Sequence, residues 1–520
     1  MVLLTELPPE IVQHVLGYVD PPDLAWIPRI CRSFYHTIKG NSSLFRIVYL
    51  NNLDKPPSKS VIDWEKAIKD TVRLEAICRR ETVEEKKSEL SFVYETVRFL
   101  LQNAATDTER VRSMTYPSSR NAEILSDIFS KPTTKAAFLC RSFTYERVYA
   151  EVNDSLPDYY YRHRQPIYQM SAHLHCLYGV PILHIPDYPR SNRCGKARPF
   201  ACSKVYDLRQ YTDKTKWGPF RNDDTGRVDW EMVEAVMIVL ASNIRKMNLN
   251  RLPVCRNFWE TPFAGTWSQS YKPLPLAREP DPVELQDPYG VTGTWLRVVC
   301  FIDYTDFYAY NFTAGNRLPP NAPRDPIDIG EATRLMLMKM RVTKIEPPGP
   351  EDGQELPIVH FKGISRTLDD TFDENANSDL RGSVRLTKEG EVRWTTFSII
   401  GGVERWRSEG IQVGGVRSAK GVMGNWFDTD YSPEGPAGPS GFWKVSDRAA
   451  ESGGYKALMQ DFLPLIQDQL DETHDEYDAG NFEDAEEEYE EEYDVNEEDE
   501  DDEDHEIEIT GISWVMWSNE

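Results

Sequence analysis

Of the 520 residues, 40% are apolar and 11% aromatic, enough for several buried cores. The formal charge of -26 is concentrated: 24 of the 85 acidic residues fall between positions 471 and 508, a stretch without lysine or arginine, so the remainder is close to neutral. A near-neutral body without a basic patch argues against nucleic acid as a partner, and the most apolar helical run, VEAVMIVLAS with Glu234 inside it, is too short to span a bilayer.

The chain opens with LPPEIVQHVLGYVDPPDLAWIPRICRSFYHTI. Ile11, Val12, Val15, Leu16 and Val19 share one helical face. Pro8 and Pro9 suit a first helical turn, Asp20-Pro21-Pro22 stops the helix, and Asp23 is placed to cap a second one whose apolar face is Leu24, Ile27, Ile30 and Cys31. Phe34, Tyr35 and Ile38 continue into a third helix, and Leu44-Phe45 closes the unit. So small a module cannot bury this much apolar surface alone. The surplus is expected to face another protein or the next domain.

Positions 7 to 48 resemble the F-box: an LPxE start, apolar pairs at Ile11-Val12 and Val15-Leu16, a D-P-x-D-L corner, and the pair Cys31-Arg32. Phe45 stands where that family often has Trp, and Pro28 interrupts the second helix. The resemblance implies docking on a Skp-type adaptor, and through it a cullin-RING ubiquitin ligase. The implied adaptor-binding residues are Leu7, Pro8, Ile11, Val15, Leu16, Val19, Leu24, Ile27, Ile30, Phe34 and Phe45.

Beyond Pro56-Pro57 a helical pattern runs from Val61 to about Ala105, and a further helix is expected at 229–247, capped by Asp229. Between them lie HLHCLYGVPILH, ACSKVYDLRQYTDKTKWGPF and RNDDTGR. With WEMVEAVMIVL, these strings resemble a family of fungal F-box proteins. His173, His175, Cys176, His184, Cys194 and Cys202 are zinc-ligand types, but their spacing matches no compact zinc motif, so a packed His/Cys core is the expectation and no metal or cofactor is assigned.

From Gly293 the pattern changes to period two. TWLRVVCFID, FYAYNF, ATRLMLMKMRVTKI, PIVHFKGISR, SVRLT, VRWTTFSII, ERWRSEGIQV, KGVMGNWFD and GFWKV read as strands. Seven to nine strands without intervening helices predict an antiparallel barrel or sandwich. Gly293-Thr294-Trp295 resembles the Trp that plugs lipocalin-like barrels; Trp295 is equally a plain core residue. In SVRLT-KEG-EVRWT, a three-residue loop with Gly390 at the left-handed position pairs Leu386 with Val392 and Val384 with Trp394. That register sets Arg385 opposite Arg393 on the outer face, and alternation from Trp406 turns Arg405 and Arg407 outward. Like charges in opposition are unfavourable. These arginines are candidates for an acidic or phosphorylated target, and Glu391 and Glu409 are the local alternative. The Gly- and Pro-rich stretch from Trp426 to Trp443, with Asp428, Asp430 and Tyr431, is expected as a rim loop that binds a target.

A helix at 451–470, a disordered acidic tail at 471–508 and a short apolar terminus at 509–520 complete the expectation. The fold class is α+β multidomain: a three-helix F-box (1–50), an α-rich middle (51–260) and an antiparallel β-barrel or sandwich (261–450). No phosphate-binding, dinucleotide, zincin or nucleophile-elbow motif is present. Eight scattered cysteines without a C-x-x-C pair, and a start lacking a basic region before an apolar one, fit cytoplasm or nucleus. The resulting reading is a non-catalytic substrate receptor that holds a protein target on its β domain. Two others stay open at this point: a small-ligand-binding barrel with F-box-controlled assembly, and an adaptor-binding protein acting outside a ligase. An apolar barrel cavity open to solvent favours the first of these.

Overall fold

The computed structural model describes residues 7–57, 61–106, 118–152, 166–182, 197–247, 255, 260–272, 279–313, 322–368, 377–432 and 434–447. The helix expected at 451–470, the acidic tail, the apolar terminus, His184 and Cys194 lie outside them.

The N-terminal module contains α1 (Pro9–Leu16), α2 (Pro21–Trp26), a 3-10 turn over Ile27–Arg29 and α3 (Arg32–Ile38). Proline at the first helical positions starts α1 and α2. A fourth helix, α4 (Ser42–Asn52), takes in Leu44 and Phe45 where only a closing segment was expected. Asn41 caps it, accepting from Leu44 N at 3.0 Å.

The middle holds α5 (Trp64–Arg79), α6 (Val83–Lys87), α7 (Leu90–Gln102), α8 (Arg120–Ile128), α9 (Pro132–Phe138), α10 (Phe143–Val152), α11 (Pro166–Tyr178), α12 (Ala197–Val205) and α13 (Trp230–Lys246). Asp229 caps α13 as expected. The helix is buried along nearly its whole length, with Val233, Val236, Met237, Ile238, Val239 and Leu240 inaccessible to solvent. A helix apolar all round needs neighbours all round. Helices α11 and α12 cover part of it, and the outer wall of the C-terminal sheet covers the rest.

That sheet is a closed antiparallel barrel of eight strands in sequential order: β1 (Gly293–Ile302), β2 (Glu331–Glu346), β3 (Ile358–Thr367), β4 (Ser378–Leu386), β5 (Val392–Ile400), β6 (Val403–Gln412), β7 (Val422–Asp428) and β8 (Ala437–Ser446). Strand β8 closes on β1, with Arg297 opposite Phe442. The predicted hairpin register is observed: Leu386 faces Val392, Val384 faces Trp394 and Arg385 faces Arg393. Gly390 sits at φ +85, in the left-handed region.

Two expectations fail locally. FYAYNF is helical, α14 (Tyr304–Phe312). Asp303 caps it, accepting from Thr305 N at 2.7 Å, and its rings meet at helical spacing, Tyr308 on Phe312 at 4.9 Å. The long rim loop expected between Trp426 and Trp443 is mostly strand, since β7 runs to Asp428 and β8 begins at Ala437.

Alternation splits the barrel wall. Outward residues such as Leu296, Val298, Leu335, Leu337, Met423 and Trp443 join the helical core. Inward residues at one end form a separate plug. Trp295, Trp394 and Phe442 pack edge to face within it, at centroid separations of 5.0 to 5.8 Å. The indole N–H groups of Trp295 and Trp394 donate to Val291 O (2.9 Å) and Gln412 Oε1 (3.1 Å).

Lys420, in the turn between β6 and β7, joins barrel to helices. Its buried amine donates to Gly179 O at 3.1 Å, where Gly179 ends α11 at φ +76. Burial pulls the amine from 10.5 down to about 7. Between those values the unfolded chain holds a proton that the folded chain has lost, so stability rises with pH across that window. Urea unfolding from pH 7 to pH 9 should show a gain of up to about 1.4 kcal/mol per pH unit from this group. Lys420→Met should remove that part of the slope, and parallel profiles for the two proteins would contradict it.

Candidate functional site

Two features of the surface stand apart from the packed body. The first is on the N-terminal module. Of the residues expected to touch an adaptor, Ile11 (49% exposed), Val15 (42%) and Ile30 (70%) are open to solvent, as is Pro8. Leu7, Val19 and Ile27 are half-buried. Leu16, Leu24, Phe34 and Phe45, expected on the surface, are instead buried in the module's own core. They hold the helices that present the exposed residues. Tyr18 (71%), Trp26 (61%) and Tyr35 (40%) add an aromatic element that the sequence reading left out. Trp26 falls one turn after Pro22, off the apolar face of α2, and that phase is the signal that finds it. The module is fixed to the body through Asp54, whose carboxylate accepts from Ser119 Oγ (2.5 Å), Ala105 N (3.1 Å) and Arg120 N (3.1 Å).

The second feature is the barrel. Its open end holds a cavity of about 380 Å³ between the strands and α14. Val299, Phe301, Met336, Trp406 and Trp426 make the wall, with Trp406 and Trp426 in edge-to-face contact at 5.3 Å. Arg297 lies deepest, two pleats below Phe301 on β1 and next to the plug residue Trp295 in the inward row. It is 4% exposed. Its Nε donates to Ser440 Oγ (3.0 Å) and its Nη2 to Ser408 Oγ (2.6 Å). Burial alone pulls the guanidinium down to about 10, so it is charged at neutral pH. Arg297 was missed in the sequence, although period two in TWLRVVCF puts it in phase with Trp295 and therefore inside.

The proposed target-binding arginines behave differently. Arg385 and Arg393 do face each other, and Arg407 shares that outer face, but Glu409 takes up the charge. Its fully buried carboxylate accepts from Arg393 Nε (2.8 Å), Arg407 Nε (3.1 Å) and Thr395 Oγ1 (3.1 Å). Arg385 donates to Ser383 Oγ (3.0 Å) and lies 3.7 Å from Asp352. Arg407 also donates to the Tyr431 hydroxyl. Glu391 is not among these partners. Arg385, Arg393 and Arg407, expected to seek an external anion, are thus paired with carboxylates of the protein itself. Arg405 is exposed at a bulge between β5 and β6, stacked on Trp406 at 5.3 Å. Trp426 lines the cavity and donates to Cys300 O (3.0 Å). Asp428 and Tyr431 are held in the β7–β8 turn, Tyr431 N donating to Asp428 O at 3.1 Å, and Asp430 is exposed beside them.

The four zinc-ligand types among the described residues, His173, His175, Cys176 and Cys202, do not form a metal-holding group. His173 stacks on Trp230 at 3.5 Å and hydrogen-bonds the Tyr94 hydroxyl at 3.0 Å, and burial holds it well below the usual imidazole range. His175 pairs with Glu234 at 2.7 Å. Burial pushes the Cys176 thiol up. Cys202 Sγ lies 3.7 Å from Glu331, in a buried cluster with Arg198, Tyr206 and Asn243. Among the described residues no three His, Cys, Asp or Glu side chains are grouped to hold a metal, and no helix is long and apolar enough to cross a membrane.

Replacing Glu409 with Ala strands two largely buried guanidinium groups. It should lower stability by about 3–5 kcal/mol in chemical denaturation, whereas Arg405→Ala should change it by less than about 0.5 kcal/mol.

The family model for F-box-like domains matches residues 4–51. No curated protein and no solved structure matches the chain. The module that leaves Ile11, Trp26 and Ile30 exposed is thus an F-box-like domain, followed by a helical region and a closed eight-stranded barrel.

Proposed function

We propose that this chain is the substrate-recognition subunit of a cullin-RING ubiquitin ligase, docked on a Skp-type adaptor through its F-box-like domain. The observation that carries the reading is the set of solvent-exposed apolar and aromatic residues Ile11, Val15, Tyr18, Trp26, Ile30 and Tyr35 on that domain. An exposed patch with anchors of this kind is what a protein partner buries. The role asks for no catalytic residue in this chain, because the ligase's enzyme partners carry out the transfer. It asks for a fixed geometry between adaptor and target. The Asp54 anchor, the common core from α4 through α13 to the barrel wall, and the Lys420 contact favour such rigidity. The target is assigned to the barrel's open end, where Tyr304 and Tyr308 on α14 are exposed beside the cavity mouth.

The double variant Ile11→Asp, Ile30→Asp should weaken co-purification with a Skp-type adaptor by at least tenfold (~1.4 kcal/mol or more). Its melting temperature should stay unchanged, since both side chains are already solvent-exposed. Undiminished adaptor capture would remove this face from the interface. Capture of the adaptor without any cullin would instead favour a role outside a ligase.

A further inference from the structure

The barrel cavity carries an inference that does not depend on the adaptor. Arg297 is a buried cation whose only hydrogen-bond partners among the described residues are two neutral hydroxyls. Its Nη1 group has none. Among the described residues the single carboxylate lining the cavity, Asp303, is at the rim and is occupied in capping α14. A guanidinium so placed is costly unless an anion meets it. The rest of the wall is largely apolar, with Arg334, stacked on Phe301, and Tyr304, Ser378 and Ser398 the polar exceptions.

We propose that the barrel binds a small monocarboxylate with an apolar body, its carboxylate on Arg297 and its body between Trp406, Trp426, Phe301 and Met336. Arg pairs with a carboxylate through a planar, two-pronged contact, and the volume is in the range of small-molecule sites. The C-terminal carboxylate of a protein offers the same headgroup. A polypeptide, however, would bring several N–H and C=O groups into a wall with few partners for them, and each unpaired group is penalised. The apolar wall therefore favours the small molecule. Among the described residues the outer arginines Arg393 and Arg407 have a carboxylate partner in Glu409, whereas Arg297 has none.

Titration calorimetry with dodecanoate, kept below its micelle concentration, tests this on the full chain. Dodecanoate should bind and dodecanol should bind at least tenfold more weakly. Arg297→Gln should reduce dodecanoate affinity by about ten- to a hundredfold while the unliganded variant melts no lower than the parent, because an uncompensated buried charge is gone. A merely structural arginine would do the reverse: lower the melting temperature and leave the carboxylate preference intact. Val299→Trp, which fills the cavity and leaves Arg297 in place, should also abolish binding, and it serves if Arg297→Gln does not fold. Adaptor capture should be the same in all three proteins, which separates failure here from failure of the docking reading. Equal binding of acid and alcohol, or no dodecanoate binding by the parent, overturns the proposal. So does Arg297-dependent binding of a short peptide with a free C-terminus in place of dodecanoate, which would make the occupant a protein end.

Discussion

The burial of α13 is the constraint on which the rest of the molecule depends. A seventeen-residue helix with apolar residues around its circumference is stable only when enclosed, and the chain encloses it with two unlike surfaces: helices on one side, a curved sheet on the other. Enclosure takes two carboxylates along. Glu231 accepts from Phe143 N (2.9 Å) and Gln169 Nε2 (3.1 Å), and Glu234 from His175 Nδ1 (2.7 Å). Because a buried carboxylate without partners is so unfavourable, these bonds fix how α10 and α11 sit on α13, and through them the position of the barrel wall relative to the N-terminal module.

The arginines of the barrel show how one residue type acquires opposite roles from its side of a strand. Arg393 and Arg407 point out, converge on Glu409 and are structural. Arg297 points in, meets two hydroxyls among the described residues and faces an open volume. Strand alternation decides which is which, while the hydroxyls that meet Arg297 lie more than a hundred positions away in the chain. Ser408 and Ser440 approach Arg297 only because the sheet closes.

That difference explains what was legible in the sequence. Local rules were sufficient for the F-box pattern, for α13 with its Asp229 cap, and for the hairpin around Gly390, where loop length and pleat agree. They were sufficient for the barrel as a class. They failed at FYAYNF, whose aromatic spacing fits two periods at once and whose Asp303 cap decides for the helix. Glu409 was legible as a local partner for the outer arginines, but its complete burial is encoded by no local pattern. At the N-terminal module the apolar surplus was visible, but its division into inner and outer residues was not. Leu16 and Leu24 went inward and Trp26 outward because α4 packs behind α1 and α5 behind α2.

Closure of the sheet has a consequence for what the sheet can pair with and for how the chain is made. A barrel in which β1 pairs with β8 has no free edge, so no peptide can be captured by extending the sheet. The same pairing joins residues 293–302 to 437–446, so the last strand must leave the ribosome before the first gains its second neighbour. Until then the outward side chains that cover α13 have only a partial wall to stand on, and the helix at the centre of the molecule waits, half-covered, for the final strand to be synthesised.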